Sequence, residues 1–438
     1  MKRYAYIIIG IIVAAAIAIF VLFLIKNGSA GPSSGALGAA NTTGSLPAAN
    51  TQTGGGTSGG STGEPGEGAG ALTLTTQTGS STAAATSAVG NQMSVQAFGV
   101  LSSDSVLDYF VAPNNVITAI EPTGEIISIV NGQSMTVSTS TISDIISASF
   151  SYDGKKIMVS YGDPTDPQAG VFDVSSSVWT LLPQGIQSPQ WSPGGNYQIA
   201  YFVTTASGKL ALATIDASNI KKGATTLLTL NANDLSLQWP TVNEFVFADK
   251  PSYESDGSIW TFNRQAGTLA PLIYEEAGAE GIWSHNAAIP YGLIFVSGST
   301  SAGGGNLELK AISGSLQAQQ LAFSTLPSKC AFDTEQMPAT ASSSASAATS
   351  TPYLALYCGI PRSSSGFSSA HLPDDYDMMA LFTSDDIYKV NTATGAEQVL
   401  WNDPTQNMDI SDVKFANNAL FFVNRYDQKL YGLTFSSH

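Results

Sequence analysis

The sequence contains few of the residues that most catalytic and metal-binding sites require. Its 438 residues include two cysteines and three histidines, and 17 Lys and Arg stand against 33 Asp and Glu. The histidines, His285, His371 and His438, have no ligand partner at metal spacing, which disfavours a zinc site, and a Ser-His-Asp triad is equally unsupported. No run of basic residues exceeds a pair, so nucleic acid is not an expected partner. We predict no catalytic residues, no cofactor and no bound metal.

The excess of acidic over basic residues lies in the part of the chain after residue 93. Lys2, Arg3 and Lys26 flank an apolar segment near the N-terminus, and Glu64 and Glu67 lie in a low-complexity region. The rest of the chain therefore holds 14 basic and 31 acidic residues. A surface of this composition gives solubility and a weak attraction for cations or basic proteins.

The first 26 residues have the composition of a membrane anchor. Residues 5–25 are almost wholly apolar and carry no charge, which is long enough to cross a hydrocarbon core of roughly 30 Å as a helix. A cleaved signal peptide is the alternative, but its apolar region usually runs about 7–15 residues. Lys2 and Arg3 place the N-terminus in the cytoplasm by the positive-inside rule. The sequence predicts a transmembrane anchor at 1–26 with the following chain outside.

Residues 27–93 have the composition of a disordered linker. They are rich in Gly, Ser, Thr and Ala and contain no basic or aromatic residue. Such a segment cannot bury enough apolar area to offset the entropy of ordering. Two matches to the G-x-S-x-G nucleophile motif, beginning at Gly56 and Gly59, lie here without a preceding strand, so we interpret both as chance.

From residue 94 to 438 the chain consists of seven similar units. Each opens with an apolar run that ends near an aromatic residue, followed by a polar turn of Gly, Asn or Asp and a second apolar run. Those turn residues tolerate the positive φ that tight hairpins require. The recurring aromatic residues, predicted to pack in the core, are Phe110, Phe150, Trp191, Trp239, Trp283, Phe332 and Phe415.

Further strands follow in each unit, as in AGVFDVSSSVWTLL and DIYKVNTATGAEQVLW. Four short antiparallel strands repeated seven times indicate an all-β, seven-bladed β-propeller. The last unit stops at its third strand, KLYGLTF, and open sheet edges are a liability. We therefore predict that residues 93–100 supply the missing strand and close the ring.

Two of the units carry a family resemblance. SPQWSPGGNYQIAYF and SASFSYDGKKIMVSY resemble the repeats of TolB-like, WD-repeat-like propellers of bacterial envelopes. The segment KCAF…LYCGIP…LPDDYD…DDIYKVNTATG is similar to single-pass membrane propellers from bacteria. The resemblance implies a propeller over residues 94–438 that scaffolds protein contacts, although the repeat marks architecture rather than activity.

The two cysteines fall on strands that should be neighbours. Cys330 and Cys358 lie on the first and second predicted strands of the sixth blade. Outside the cytoplasm, a pair on adjacent antiparallel strands is most simply a disulfide. A redox or metal-binding pair is the alternative.

An acidic segment within residues 361–383 is the candidate partner-binding loop. It contains Asp374, Asp375, Tyr376 and Asp377. Three carboxylates in four residues could ligate calcium, but the spacing of a helix-loop-helix calcium site is missing, so we interpret the segment as a solvated loop. Loops on a rigid scaffold commonly carry recognition.

These features favour a protein-binding or scaffold module of the cell envelope, in the periplasm or at the cell surface, and not an enzyme. The alternatives are a carboxylate-based hydrolase or lyase acting on wall glycan or exopolymer, and a structural appendage or adhesin subunit. A hydrolase would need two or three carboxylates at one mouth of the central channel, one with a raised pKa. The sequence scatters its acidic residues over the turns.

Overall fold

The computed structural model describes residues 94–286, 288, 290–298, 304–312, 318–336 and 352–436. The anchor predicted at 1–26 and the linker predicted at 27–93 lie outside these residues. Within the described ranges, no helix combines the length and apolarity needed to cross a bilayer.

The described chain forms seven antiparallel sheets of four strands each, which we number as blades 1 to 7. The first strands are β2 (Asp108–Val111), β6 (Ile145–Phe150), β10 (Ile186–Trp191), β14 (Leu235–Thr241), β18 (Glu280–Trp283), β22 (Cys330–Gln336) and β26 (Ile410–Ala416). The second strands are β3 (Ile117–Ile120), β7 (Lys156–Tyr161), β11 (Gln198–Thr204), β15 (Glu244–Asp249), β19 (Tyr291–Val296), β23 (Pro352–Pro361) and β27 (Ala419–Asn424). The third strands are β4 (Ile126–Val130), β8 (Gln168–Asp173), β12 (Leu210–Asp216), β16 (Asp256–Asn263), β20 (Asn306–Ala311), β24 (Asp385–Asn391) and β28 (Lys429–Ser436). The fourth strands are β5 (Gln133–Ser138), β9 (Val178–Leu181), β13 (Thr225–Leu230), β17 (Thr268–Ala277), β21 (Gln319–Gln320), β25 (Glu397–Trp401) and, in blade 7, β1 (Ser94–Val100).

The middle strands of the blades are apolar on both faces because both faces are covered. Six of the seven residues of β12 and four of the seven of β11 are buried, whereas β9 at the outer edge of its blade is mostly exposed. A strand covered on both faces reads as a continuous apolar run rather than an alternating one. This pattern is why the second and third strands are the clearest strand signals in the sequence.

Tight turns with positive φ join the first two strands of several blades, as the Asn and Gly residues predict. Asn417 and Asn418 have φ values of 52° and 60° between β26 and β27. Gly154 has a φ of 69°, and an added Cβ would lie 2.1 Å from the Phe110 ring. The turn of blade 2 therefore packs against blade 1, and only glycine fits there.

The hydrophobic core is divided into seven clusters, and each cluster fills the space between two neighbouring blades. One of them joins blade 7 to blade 1, so the ring is continuous. First strands of adjacent blades also contact each other, for example β6 with β10 and β22 with β26. Burial between blades, rather than within one sheet, is the main source of stability in this arrangement.

The ring closes as the sequence predicts. Strand β1 pairs with β28 in antiparallel register from Ser94↔Ser436 to Val100↔Tyr431, so blade 7 contains both ends of the domain. Phe98 stacks on Trp401 of blade 6 with a centroid distance of 4.8 Å, and it also packs against rings of blade 7. The closing strand is thereby fixed by backbone pairing and by aromatic packing.

The connections divide the ring into two faces. Links from second to third strands, and from each blade to the next, lie on one face, which we call the insert face. Links from first to second and from third to fourth strands lie on the other, the opposite face. This division follows from the alternating directions of antiparallel strands.

Two segments differ from the predicted strand-and-loop pattern. Residues 362–384, which join β23 to β24, contain two short helices, α1 (Ser364–Ser369) and α2 (Asp374–Asp377). The predicted acidic loop is therefore one helical turn. The fourth strand of blade 5 has only two described residues, those of β21. Single 3-10 turns occur at Ile220–Lys222 and Pro327–Lys329.

Candidate functional site

Residues 362–384, called the insert from here on, extend from blade 6 over the insert face. The side chain of Asp374 accepts hydrogen bonds from Ser252 Oγ at 3.1 Å and from the Tyr253 amide at 2.8 Å, both in blade 4. His371 stacks on the Tyr253 ring with a centroid distance of 4.5 Å. The insert is thus tied to a loop two blades away from its own strands.

Tyr376 attaches the insert to blade 7 on the buried side of α2. Its side chain is buried, and its hydroxyl lies 3.3 Å from the Ile410 carbonyl of blade 7. The Arg425 guanidinium stacks on its ring at 3.5 Å, and burial raises the pKa of the hydroxyl. This contact combines a cation–π interaction with apolar packing, so Tyr376 holds the insert in place instead of facing a partner.

A buried lysine lies beneath the insert. Lys329 is 0% exposed, and its Nζ lies 2.7 Å from Asp385, 2.5 Å from Asp409 and 2.7 Å from Thr383 Oγ1. Burial alone would lower the pKa of this amine, but the two carboxylates hold it above its ordinary value. The lysine is therefore charged, and every donor has an acceptor.

Arg425 extends this network to the surface. It binds Asp409 Oδ2 at 2.9 Å and donates to the Leu381 carbonyl at 3.2 Å and to the carbonyl of Tyr376. Lys329, Asp385, Asp409 and Arg425, which we call the buried network, connect blades 5, 6 and 7 to the insert. A fully satisfied network of this kind fixes one arrangement of the groups around it.

The sequence argument did not find this network. The acidic residues are scattered over turns in the sequence, but the structure brings Asp385, the first residue of β24, together with Asp409 around Lys329. Lys329 and Asp409 each come immediately before the first strand of a blade. That shared position, a charge next to a buried apolar run, is the signal that could have indicated them.

A carboxyl with an unusual pKa interacts with the insert residue Asp377. Burial, together with the nearby charge of Asp377, raises the pKa of Glu280, the first residue of β18, to about 8. Glu280 Oε1 is buried and has no hydrogen-bond partner among the described residues. At neutral pH the protonated form of Glu280 is therefore favoured, next to the carboxyl of Asp377.

The four predicted loop residues have different environments. Tyr376 is buried, and Asp374 is bound to blade 4 as described above. Asp375 accepts a hydrogen bond from the His371 amide at 2.8 Å, and Asp377 is exposed. Within the described part of the chain, no group of three or more His, Cys, Asp or Glu residues is placed to hold a metal ion.

The predicted disulfide is present at the base of the site. Cys330 and Cys358 face each other in register and are bonded, with a Cα–Cα distance of 4.1 Å. Because Cys330 follows Lys329 directly, the bond also holds the strand that positions the buried lysine.

Apolar side chains are exposed beside the anchored helix. Met378, Met379, Phe382 and Tyr426, which we call the insert patch, are between 38% and 69% exposed. Phe382 stacks on Tyr426 at 5.3 Å, and Met379 Sδ lies 2.9 Å from Arg425 Nη2. Two rings of the patch are therefore in contact, and Met379 lies beside Arg425 of the buried network.

A groove of about 470 Å³ lies between blades 4 and 5. It is lined by Glu244 and Lys310 among others. Asn263 donates to Glu244 at 2.6 Å, and Lys310 donates to the Leu272 carbonyl at 2.7 Å. Its charged groups are thus occupied by bonds within the protein.

A second ionic cluster joins blades 7 and 1. Lys414 binds Asp108 and lies 3.4 Å from Asp412, and the Tyr109 hydroxyl donates to the Asp412 carbonyl at 2.6 Å. Burial raises the pKa of Asp412 to about 7, a shift that Lys414 opposes and Asp108 reinforces. Asp412 Oδ2 is buried without a described partner, although the whole side chain is 34% exposed.

Asp412 should make stability depend on pH. Since its pKa is about 7 when folded and 3.8 ordinarily, its contribution is complete below about pH 4 and is lost as pH rises to 7. Asp412→Asn should therefore unfold at a higher temperature than the native protein at pH 8, and this difference should shrink as the pH falls to 4. The free energy of unfolding at pH 8 should rise by roughly 1–2 kcal/mol. This is less than the full 1.36 kcal/mol per pKa unit, because the carboxyl is partly exposed.

Thermal unfolding of the full chain between pH 4 and 8 measures this effect. Asp163→Asn, at an exposed loop carboxylate, is the control and should follow the native curve. An unchanged pH dependence in Asp412→Asn would contradict the assignment.

Comparison with known proteins gives structural neighbours only. No family model and no curated protein matches the chain. An oligogalacturonate lyase from Vibrio parahaemolyticus is 9% identical with a TM-score of 0.48, and the match covers 78% of this chain and 96% of the lyase. TolB from Acinetobacter baumannii is 12% identical with a TM-score of 0.34, covering 76% and 63%.

An acylaminoacyl peptidase from Pyrococcus horikoshii is 10% identical with a TM-score of 0.41, and the match covers 64% of this chain. The chain spans only 43% of that peptidase. TolB, whose repeats the sequence resembles, is thus among the structural neighbours. At these identities the likenesses concern the propeller architecture and not an activity.

Proposed function

We propose that the protein is a membrane-anchored, extracytoplasmic propeller that binds a protein of the cell envelope through its insert face. The insert patch carries the proposal. Exposed apolar patches on an otherwise polar surface mark sites of interaction. The buried network and the bonds of Asp374 hold this patch in one conformation, which reduces the entropy lost when a partner binds.

The location is inferred from the sequence and from one bond. Residues 5–25 are apolar with Lys2 and Arg3 before them, so the orientation rule puts the propeller outside the cytoplasm. The disulfide between Cys330 and Cys358 supports this location, since such bonds persist in oxidising compartments.

A carboxylate-based hydrolase or lyase is the second candidate. Glu280, protonated at neutral pH beside Asp377, is the observation that favours it, because a general acid needs a raised pKa. An acid catalyst must also reach its substrate, and Glu280 Oε1 is buried. Binding is therefore the function that the geometry supports best.

Site-specific photo-crosslinking in intact producing cells tests the proposal. A photoreactive residue replaces Met378 in the full chain, and mass spectrometry identifies what is attached. The same residue at Tyr152, on the opposite face, is the control because both side chains are 69% exposed. We expect one recurrent protein from position 378 and at least tenfold less of it from position 152. Equal yields from both positions would contradict binding through the insert face.

A further inference from the structure

The charges of the loops are divided unequally between the two faces. The loops of the opposite face contain one acidic residue, Asp153, and four basic residues, Lys155, Lys221, Lys222 and Arg264. The loops of the insert face contain these acidic residues: Asp104, Glu121, Glu125, Asp144, Asp163, Asp166, Asp234, Glu254, Asp374, Asp375, Asp377, Asp403, Asp409 and Asp427. With the five basic residues of the insert face included, its loops carry a net charge of −9, and the loops of the opposite face carry +3.

The basic residues of the insert face do not offset this charge at the surface. Its loops contain five, and three of them, Lys329, Arg362 and Arg425, are bound to acidic residues inside the structure. Lys250 is paired with Asp234 at 2.7 Å, which leaves Lys209. Asp409 and Asp234 are partners of these basic residues, and the other twelve acidic residues of its loops leave the insert face acidic.

Both ends of the described chain lie on the opposite face. Strand β1 begins there at Ser94, and β28 ends beside it at Ser436, as their pairing shows. The 93 residues that precede β1 join the ring on that side.

We propose that the insert face binds a cationic amphipathic segment of its partner, with apolar side chains on the insert patch and Lys or Arg against the surrounding carboxylates. This inference rests on the proposed function and specifies the chemistry of the partner. Electrostatic complementarity of this kind speeds association and selects the partner. The same field repels nucleic acids and anionic lipid headgroups.

Synthetic peptides test the inference on the purified full chain in detergent. The probe is an 18-residue helix with leucine on one face and lysine on the other, and matched peptides carry glutamine or glutamate in place of lysine. We expect the lysine peptide to bind at least tenfold more tightly than the glutamine peptide and the glutamate peptide not to bind. Raising NaCl from 50 to 300 mM should weaken binding of the lysine peptide about tenfold, because salt screens the attraction between the charges.

Paired variants then locate the site. Glu254→Gln with Asp256→Asn removes two exposed carboxylates beside Tyr253, which the insert contacts. Asp163→Asn with Asp166→Asn removes two charges from the equivalent loop of blade 2. Both pairs change the net charge equally. If the site lies at the insert, the first pair should weaken binding of the lysine peptide about tenfold and the second pair less than twofold.

The outcomes separate this inference from the proposed function. Equal binding of the lysine and glutamine peptides, no binding of either, or equal losses in the two variant pairs would each overturn the cationic partner. In all three cases the crosslink from position 378 still decides whether a protein binds there. A crosslinked segment without Lys or Arg would also overturn the inference while leaving the proposed function intact.

Discussion

Replacing Lys329 with methionine should lower the unfolding midpoint of the protein by about 5–10 °C. Methionine fills a similar volume but leaves Asp385 and Asp409 buried with one counter-charge fewer. Removing one partner of a buried ion pair typically costs about 3–5 kcal/mol. In a domain of this size each kcal/mol lowers the midpoint by roughly 2 °C.

Tryptophan fluorescence of the full chain during heating measures this loss. Lys155→Met is the control because Lys155 is 68% exposed and its pair with Asp153 should contribute less than about 1 kcal/mol. Adding Asp385→Asn to Lys329→Met should recover part of the loss, since replacing both charges is far less costly than removing one. If Lys329→Met had the same unfolding midpoint as the native protein, the lysine would carry no buried charge.

The second large effect is expected from the disulfide. Cys330→Ala with Cys358→Ala opens a loop of 28 residues, which should destabilise the fold by about 3–4 kcal/mol in the loop-entropy model. Both sulfurs lie in the core cluster between blades 5 and 6, so the loss of packing adds to this cost. The variant should also loosen the insert, because Cys330 fixes the strand that follows Lys329.

A reducing agent provides the internal control. It should lower the midpoint of the native protein toward that of the double variant and leave the variant unchanged. If reduction destabilised both proteins equally, the effect would not arise from this bond.

The sequence predicted the features that follow from local pattern. Ring closure by β1 was predictable because the seventh unit lacks its fourth strand, and Phe98 in that strand has the apolar character needed to pack. The disulfide was predictable because Cys330 and Cys358 lie on adjacent strands of one repeat. Each inference needed only the strand period and the order of the units.

The insert was not predictable in the same way. Tyr376 stands among three aspartates and reads as part of a solvated loop, but it is buried because Arg425 and Ile410 surround it from blade 7. Asp374 finds its partners more than one hundred residues earlier in the chain. Contacts between such distant segments depend on how loops meet over the ring, which no local period encodes.

The pairing of the first strand with the last constrains biosynthesis. Blade 7 cannot be completed until β28, at residues 429–436, has been synthesised. Every shorter nascent chain exposes an unpaired β1 and the apolar sides of its end blades. Translation that stops early should therefore yield a product that proteases degrade, so that only finished copies accumulate.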